Sequence, residues 1–148
     1  MLIEAYEYKK CAQAARNFLL FLFEQKDIFV QQAKNVKNPK LAMLSKVCFT
    51  HCLMYMVKTN ELAKDFVDRQ GFQLFKVLLE DDCIKNGQIA YNVVCTLWIL
   101  TYHPFALKGF TDFQLGIVEH VSKILDYFNK EKIVRIILMM FDVSFRPV

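Results

Sequence analysis

Apolar residues recur at helical spacing along most of the chain, and two stretches of this pattern resemble each other at a separation of about 46 residues. Segment Val47–Val57 aligns with Val93–His103. After a polar interruption each is followed by a second apolar helix, Phe75–Leu79 in the first unit and Val121–Leu125 in the second. A period of about 40–47 residues built from helices alone is typical of armadillo and HEAT repeats. The pattern therefore predicts an all-α, armadillo/HEAT-like solenoid, a single helical-repeat domain over residues 1–148.

Breakers and caps divide this pattern into six or seven predicted helices. Residues 27–35 are expected either to continue the first helix or to form a short second one. The expected elements are Leu2–Glu24, Pro39 to about Val57, Asn60 as N-cap through Asp68 with Gly71 ending the helix, Phe72–Leu79, Gln88–Tyr102, a short turn initiated by Pro104, Asp112–Phe128 and Lys130–Phe145. The order of short helix, glycine, apolar helix, loop and long buried helix is armadillo-like.

Composition supports long helices joined by short loops. Apolar residues make up 55% of the chain, and only four glycines and three prolines are available for turns, which disfavours a β-sandwich. The fourteen phenylalanines are expected to fill the core between repeats or to lie on a surface that faces a partner. Residues 86–107 carry no charge, but the strongly apolar part, Ile89–Tyr102, is shorter than the roughly 20 residues of a membrane-spanning helix. We expect a buried solenoid helix there, and the N-terminus shows no signal-peptide pattern.

Positive charge is concentrated in one part of the chain, although the net charge is only +4. No acidic residue lies between Asp27 and Glu61. This stretch contains Lys34, Lys37, Lys40, Lys46 and Lys58. A run of this kind is usually a solvated helix face with a basic loop. The alternative is a patch that binds an acidic protein partner. Nucleic acid is disfavoured because no nucleic-acid-binding motif accompanies the lysines.

Cysteine and histidine offer one candidate metal cluster. The odd number of cysteines, five, indicates a reducing compartment, where a free cysteine inside an apolar helix behaves as a small hydrophobe. Cys48, His51 and Cys52 lie close together on one predicted helix. A structural zinc site needs a fourth ligand, and no residue is spaced to supply it. We therefore expect neither a metal nor a cofactor.

Motifs for catalysis are absent from the sequence. It contains no phosphate-binding glycine-rich loop, nucleophile elbow or paired metal-binding histidines. His51, His103 and His120 lie far in sequence from carboxylates that could assist them, and Asp81-Asp82 is expected to be a solvated loop rather than a calcium site. The sequence favours a binding scaffold over an enzyme.

Four ordered segments of the second half carry a resemblance to a known family. They are Gln88–Val94, Leu97–Pro104, Ile124-Leu125 and Lys130–Leu138, and residues 66–71 with 78–79 resemble the preceding family repeat. Together they resemble the regulatory H subunit of the vacuolar-type proton ATPase (V-ATPase), over roughly residues 60–145. Each segment alone is non-specific, and the resemblance rests on their order and spacing.

This resemblance implies a non-catalytic subunit built from helical repeats. In that family the subunit sits on the cytosolic ATPase sector of a vacuolar or endosomal membrane, contacts a peripheral stalk and is membrane-associated only through the complex. It helps couple ATP hydrolysis to proton transport and silences the detached ATPase sector. The family's separate C-terminal domain, linked to coupling and silencing, has no counterpart here, so we expect stalk docking without silencing. The alternative is a general armadillo/HEAT adaptor that binds an unrelated peptide or helix.

The predicted docking residues are all lysines, Lys34, Lys37, Lys40, Lys130 and Lys132. Lys130 and Lys132 open the last predicted helix, where they either form a solvated first turn or contact a partner. In the same helix Glu131 precedes Arg135 by four residues, a spacing that favours an ion pair. The apolar run 136–141 predicts a helix buried nearly all round. Trp98 is expected in the core rather than as an exposed anchor.

Overall fold

The computed structural model describes two ranges of the chain, residues 2–31 and 38–145, with side chains at 9–28 and 38–145. These ranges form nine α-helices, one 3₁₀ turn and no strand. The helices are α1 (Leu2–Glu24), α2 (Lys26–Gln31), α3 (Pro39–Met56), α4 (Asn60–Asp68), α5 (Gly71–Glu80), α6 (Gly87–Thr101), α7 (Pro104–Phe110), α8 (Ile117–Tyr127) and α9 (Glu131–Ser144), with the 3₁₀ turn at Asp82–Lys85.

The helices form three successive units of three, α1–α3, α4–α6 and α7–α9. Each helix packs against the helix three places further along the chain, which gives an α1–α4–α7 row, an α2–α5–α8 row and an α3–α6–α9 row. Helices α5 and α8 begin at Gly71 and Ile117, 46 positions apart, so the predicted repeat is confirmed. Stacking of this kind buries faces that one unit could not bury alone.

Side-chain caps fix the starts of the longer helices. Asn38 Oδ1 accepts a hydrogen bond from the Leu41 N–H at 3.2 Å, and Pro39 occupies the first turn of α3 as predicted. The N-cap of α4 is Thr59, whose hydroxyl accepts from the Leu62 N–H, so the prediction of Asn60 was wrong by one residue. Asn86 Oδ1 accepts from two N–H groups at the start of α6, and the Asn-Gly pair therefore begins a helix.

Two left-handed residues set the breaks before α5 and α8. Gln70 and Gly116 both have φ of 63°, and each immediately precedes the helix. The prediction that Gly71 ends α4 was wrong, because Gln70 takes the left-handed conformation and Gly71 is the first residue of α5. A side chain at Gly71 would overlap the ring of Phe66, which explains the glycine there.

The last two helices differ from their predicted forms. Helix α8 begins at Ile117 rather than Asp112, because Asp112 Oδ1 accepts from the Gln114 N–H at 2.9 Å and closes a separate turn. Helix α9 is not buried all round. Its inner positions are buried, but Leu138 and Met139 are 57% and 42% exposed, since helix packing covers only one of its sides within the described residues.

Aromatic rings fill much of the space between units. Phe66 is fully buried and makes edge contacts with Phe23, Phe72 and Phe75, with ring centroids 5.6, 6.3 and 5.2 Å apart. Other phenylalanines lie outside this core, and Phe113 is fully exposed. Both expectations for the phenylalanines are therefore met.

The contact between α3 and α6 has a polar interior. Asn92 is fully buried; its Nδ2 donates to the Val47 carbonyl at 3.2 Å and to Thr50 Oγ1 at 3.0 Å. Gln88 Nε2 donates to the Asn92 side-chain oxygen at 2.9 Å. Thr96 occupies the position equivalent to Thr50, and each threonine donates to the carbonyl four residues earlier. The polar groups of this interior are thus paired with one another.

A buried ion pair fixes α3 to the end of α5. Lys46 is 1% exposed, and its Nζ lies 3.3 Å from Asp81 Oδ1. The Cys83 N–H donates to the same carboxylate oxygen at 2.8 Å. Burial alone raises the pKa of Asp81, but the hydrogen bonds from Cys83 and the Lys46 ammonium outweigh it, so its pKa is below the ordinary value. The expectations of a solvated Lys46 and a solvated Asp81 were wrong.

The charge-free stretch around residues 86–107 is a solenoid helix, as predicted. Its helix, α6, has 15 residues and is buried along most of its length between α3 and α9. Among the described residues, no helix has the length and apolarity to cross a membrane.

Candidate protein-docking surface

The α3–α6–α9 row carries an aromatic stripe along α6. Tyr91, Cys95, Trp98 and Tyr102 follow each other at intervals of four, three and four residues, which places them on one side of a helix. Tyr91 and Trp98 are half-buried and Cys95 is buried, whereas Tyr102 at the end of the stripe is 60% exposed. The rings of Trp98 and Tyr102 meet edge to face at 5.7 Å.

Neighbouring helices stand higher than this stripe. On α3, Leu44 and Tyr55 are 56% and 54% exposed, and on α9 Leu138 is 57% exposed. A half-buried centre with exposed flanks is the burial pattern of a groove. We therefore describe the row as a groove with α6 as its floor and α3 and α9 as its walls.

One lysine from each wall lies over a tyrosine ring. Lys58 Nζ is 4.0 Å from the ring centroid of Tyr55, and Lys132 Nζ is 4.2 Å from that of Tyr91. These are cation–π distances. Burial raises the pKa of the Cys95 thiol, and Tyr91, Lys58 and Lys132 oppose that rise. Both ammonium groups therefore act on the same point of the groove floor.

The helices of the row run in the same direction. Asn92 on α6 meets Val47 and Thr50 on α3, and further on Lys58 acts on Cys95, so contacts follow the same order along both helices. Helices α6 and α9 are also parallel, since Lys130 approaches Gly87 while Lys132 lies over Tyr91. Their N-terminal ends, which carry partial positive charge, thus lie on the same side.

Two predicted docking residues line a cleft at this end of the groove. Its volume is about 500 Å³, and it is lined by Gly87, Gln88, Tyr91, Lys130, Lys132 and Ile133. Lys130 and Lys132 are both exposed, and the structure brings them together with an aromatic ring. The predicted ion pair between Glu131 and Arg135 forms beside them on α9 and is confirmed.

The other predicted docking lysines are not part of this cleft. Lys40 is exposed at the start of α3, two helices away from α9 in the row. Lys34 and Lys37 lie outside the described residues. Their role in docking stays a prediction.

Sequence reasoning missed the residues that make the groove distinctive. Lys58 was seen only as a member of a lysine-rich stretch, and Tyr91 and Tyr102 only as part of an apolar run. The four-three-four spacing on α6 is visible in the sequence and was the available signal. Trp98 packs against the core as expected but is only half-buried, and its buried indole N–H has no hydrogen-bond acceptor among the described residues.

The polar clusters outside the groove have structural contacts. His120 lies between two partners, with Nδ1 2.6 Å from the Gly116 carbonyl and Nε2 3.4 Å from Glu80 Oε1. This contact joins α8 to α5, a pairing that the separation in sequence concealed. His103 Nδ1 lies 2.7 Å from Asn60 Oδ1. Across residues 2–31 and 38–145, no three histidine, cysteine or acidic side chains are grouped to hold a metal ion.

Comparison with known proteins places the chain beside one kind of pump component. A family model described as the V-ATPase H subunit matches residues 4–142. A probable V-type proton ATPase H subunit of Caenorhabditis elegans, numbered 2 in its name, is 31% identical over 90 residues, which are 61% of this chain and 18% of the worm protein. The V-type proton ATPase H subunit of Drosophila melanogaster is 30% identical over 90 residues, with the same two shares. No solved structure matches the chain.

These relatives are much longer than this chain, and the aligned part spans 18% of their length. The family model, in contrast, covers nearly all of the chain. The chain therefore belongs to the V-ATPase H-subunit family and corresponds to its N-terminal region.

Proposed function

We propose that this chain is a non-catalytic, stalk-docking regulatory component of a V-type proton-translocating ATPase. The observation that carries the proposal is the match of the H-subunit family model along residues 4–142. Its relatives are named as subunits of the V-type proton ATPase, not as free-standing enzymes. The partners would be the peripheral stalk and the cytosolic ATPase sector, on the cytosolic face of a vacuolar or endosomal membrane.

The fold supports a docking role for physical reasons. Stacked helices present an extended surface, which suits an elongated helical partner. Exposed lysines on that surface attract acidic partners and speed their association. Docking in this position would help couple ATP hydrolysis to proton transport by holding the stalk and the ATPase sector together.

The test uses detached ATPase sector that lacks its own H subunit. Purified chain is added at low and at high salt, and binding and ATP hydrolysis are both measured. We expect binding that weakens as salt rises, because exposed charges are screened over about 8 Å at physiological ionic strength. We also expect the chain alone to hydrolyse no ATP and the bound chain to leave hydrolysis largely unsilenced.

Charge reversal identifies the lysines involved. Replacing Lys34, Lys37 and Lys40 by glutamate should lower the association rate more than it raises the dissociation rate, as is usual for charges at an interface rim. Strong inhibition of hydrolysis by the chain would contradict docking without silencing. Failure of any ATPase component to bind would leave the general adaptor as the better description.

A further inference from the structure

We propose that the groove of the α3–α6–α9 row binds an acidic helix of the partner protein. We call the binding surface the aromatic–lysine groove and define it by Tyr55, Lys58, Tyr91, Trp98, Tyr102 and Lys132. The proposal rests on the proposed function, in which the partner is the helical stalk, and it assigns docking to a specific surface and a specific partner chemistry.

The size of the groove fits a helix. Its floor runs from Tyr91 to Tyr102 on α6, about 16 Å at the rise of an α-helix. The walls α3 and α9 are separated by two interhelical spacings, about 16–20 Å between axes. A helix with its side chains is about 10–12 Å across, so one can lie along the floor.

The charge of the groove selects an acidic occupant. Neither α3 nor α6 contains an acidic residue. On α9, Glu131 is already paired with Arg135, and Asp142 lies towards the other end of the helix from Lys132. Lys58 and Lys132 form no ion pair within the described part of the chain, and their contacts with tyrosine rings leave ammonium N–H groups free to donate to a carboxylate. The two walls therefore supply cations that can pair with carboxylates of an occupant.

Aromatic rings between the lysines provide the apolar part of the contact. Tyr91, Trp98 and Tyr102 present rigid surface, and such residues dominate the binding energy of protein interfaces when they are enclosed by a partner. A suitable occupant carries glutamate or aspartate along its flanks and leucine or a similar residue facing the floor. Lys130 and the cleft at the N-terminal end would receive one further carboxylate.

The chain contains a built-in reporter for this test. Trp98 is its single tryptophan, and it lies on the groove floor. Tryptophan emission is therefore a measure of events in the groove alone. The probes are a synthetic helical peptide with glutamate flanks and a leucine stripe, the same peptide with lysine for glutamate, and a single-stranded oligonucleotide.

Two double variants separate the groove from charge in general. Lys58→Glu with Lys132→Glu reverses both groove lysines. Lys9→Glu with Lys64→Glu makes the same change in net charge at exposed positions on α1 and α4. The acidic peptide should change Trp98 emission in the parent chain and in the control, and the groove variant should bind it at least about tenfold more weakly at low salt.

The same variants are then tested with the detached ATPase sector and its stalk. Loss of stalk binding in the groove variant and not in the control supports both proposals. Stalk binding that is equal in both variants overturns the groove proposal and leaves the proposed function standing. Binding of the acidic peptide at the groove without any stalk binding overturns the proposed function alone. Tighter binding of the lysine peptide or the oligonucleotide than of the acidic peptide overturns the groove proposal.

Discussion

The units α4–α6 and α7–α9 repeat the same architecture with different chemistry. Leu79 on α5 is 6% exposed, whereas Leu125 at the equivalent place on α8 is 37% exposed. Gln70 and Gly116 adopt the same left-handed conformation before α5 and α8, with φ of 63° in each. The repeat sets which positions point inward, but the burial of a given side chain depends on what stacks on its outer side. Equivalent residues can therefore differ widely in their contribution to stability.

The largest expected difference between the units comes from truncating the equivalent leucines. Leu79→Ala removes a buried side chain and should lower the free energy of unfolding by about 2–5 kcal/mol. Leu125→Ala removes a partly exposed one and should cost about 1 kcal/mol or less. Urea denaturation followed by circular dichroism measures both. Equal losses would show that the second unit is covered as fully as the first.

Asn92 tests whether the polar interior is particular to the contact between α3 and α6. Asn92→Ala leaves the Val47 carbonyl and Thr50 without their partner and should cost about 2–3 kcal/mol. The α6–α9 contact is apolar at its buried α9 positions, so Ile136→Val there should cost only about 0.5–1.5 kcal/mol. Chemical denaturation of the two variants compares these costs.

A double-mutant cycle sharpens this result. Thr50→Val combined with Asn92→Leu removes both polar partners and should cost less than the sum of the two single changes. Additive losses would mean that the hydrogen bond between Thr50 and Asn92 does not couple the two helices.

Asp81 provides a pH-dependent difference between the units. Tyr127 stands where the first unit has Asp81, so the second unit lacks a carboxylate at this junction. The pKa of Asp81 is lowered in the folded chain, so its stabilisation is present above the unfolded pKa and is lost as pH falls through the folded pKa. Asp81→Asn should cost about 1–2 kcal/mol near neutral pH, less than breaking a fully buried pair, because the carboxylate is partly solvated.

The measurement is the difference in unfolding free energy between the parent chain and Asp81→Asn at neutral and at acidic pH. That difference should shrink as the pH falls below about 4, the ordinary pKa of aspartate. A difference that does not vary with pH would show that the charge of Asp81 is not what stabilises the junction.

The left-handed residues give the smallest expected effect. Gln70→Gly relieves strain of about 1–2 kcal/mol but adds freedom to the unfolded chain, so the net gain should be below about 1 kcal/mol. Gly116→Ala should lose about 1 kcal/mol, since a Cβ there meets His120 only at contact distance and the strain lies in φ. Thermal unfolding of the two variants would move in opposite directions. A loss on Gln70→Gly would show that the glutamine side chain stabilises the break.

Periodicity predicted the fold because helix length and repeat spacing are written locally in the chain. Pro39, with its capping Asn38, fixes the start of α3 in both the prediction and the structure. Breaks that depend on tertiary packing were harder to predict. The left-handed residue is Gln70 rather than Gly71, because Gly71 is required by the neighbouring ring of Phe66.

The candidate site was only partly predictable, since charge in a sequence does not show where a side chain lies. Lys130 and Lys132 were identified correctly as exposed residues that lie together. Lys46 was not, although it lies four residues before Thr50 and seven before Leu53, on the face that points into the core. Its partner Asp81 is 35 positions away in the sequence, and only the fold brings the two together.

The central position of α6 in its row has a consequence for the order in which the molecule opens. Amides of α6 can exchange with solvent only when α3 or α9 has separated, because both cover it. Helix α9 can open while α3 and α6 stay together, since its outer side carries the exposed Leu138 and Met139. Hydrogen exchange should therefore be slowest in α6 and faster in α9, with α9 opening as a separate cooperative segment before the α3–α6 pair.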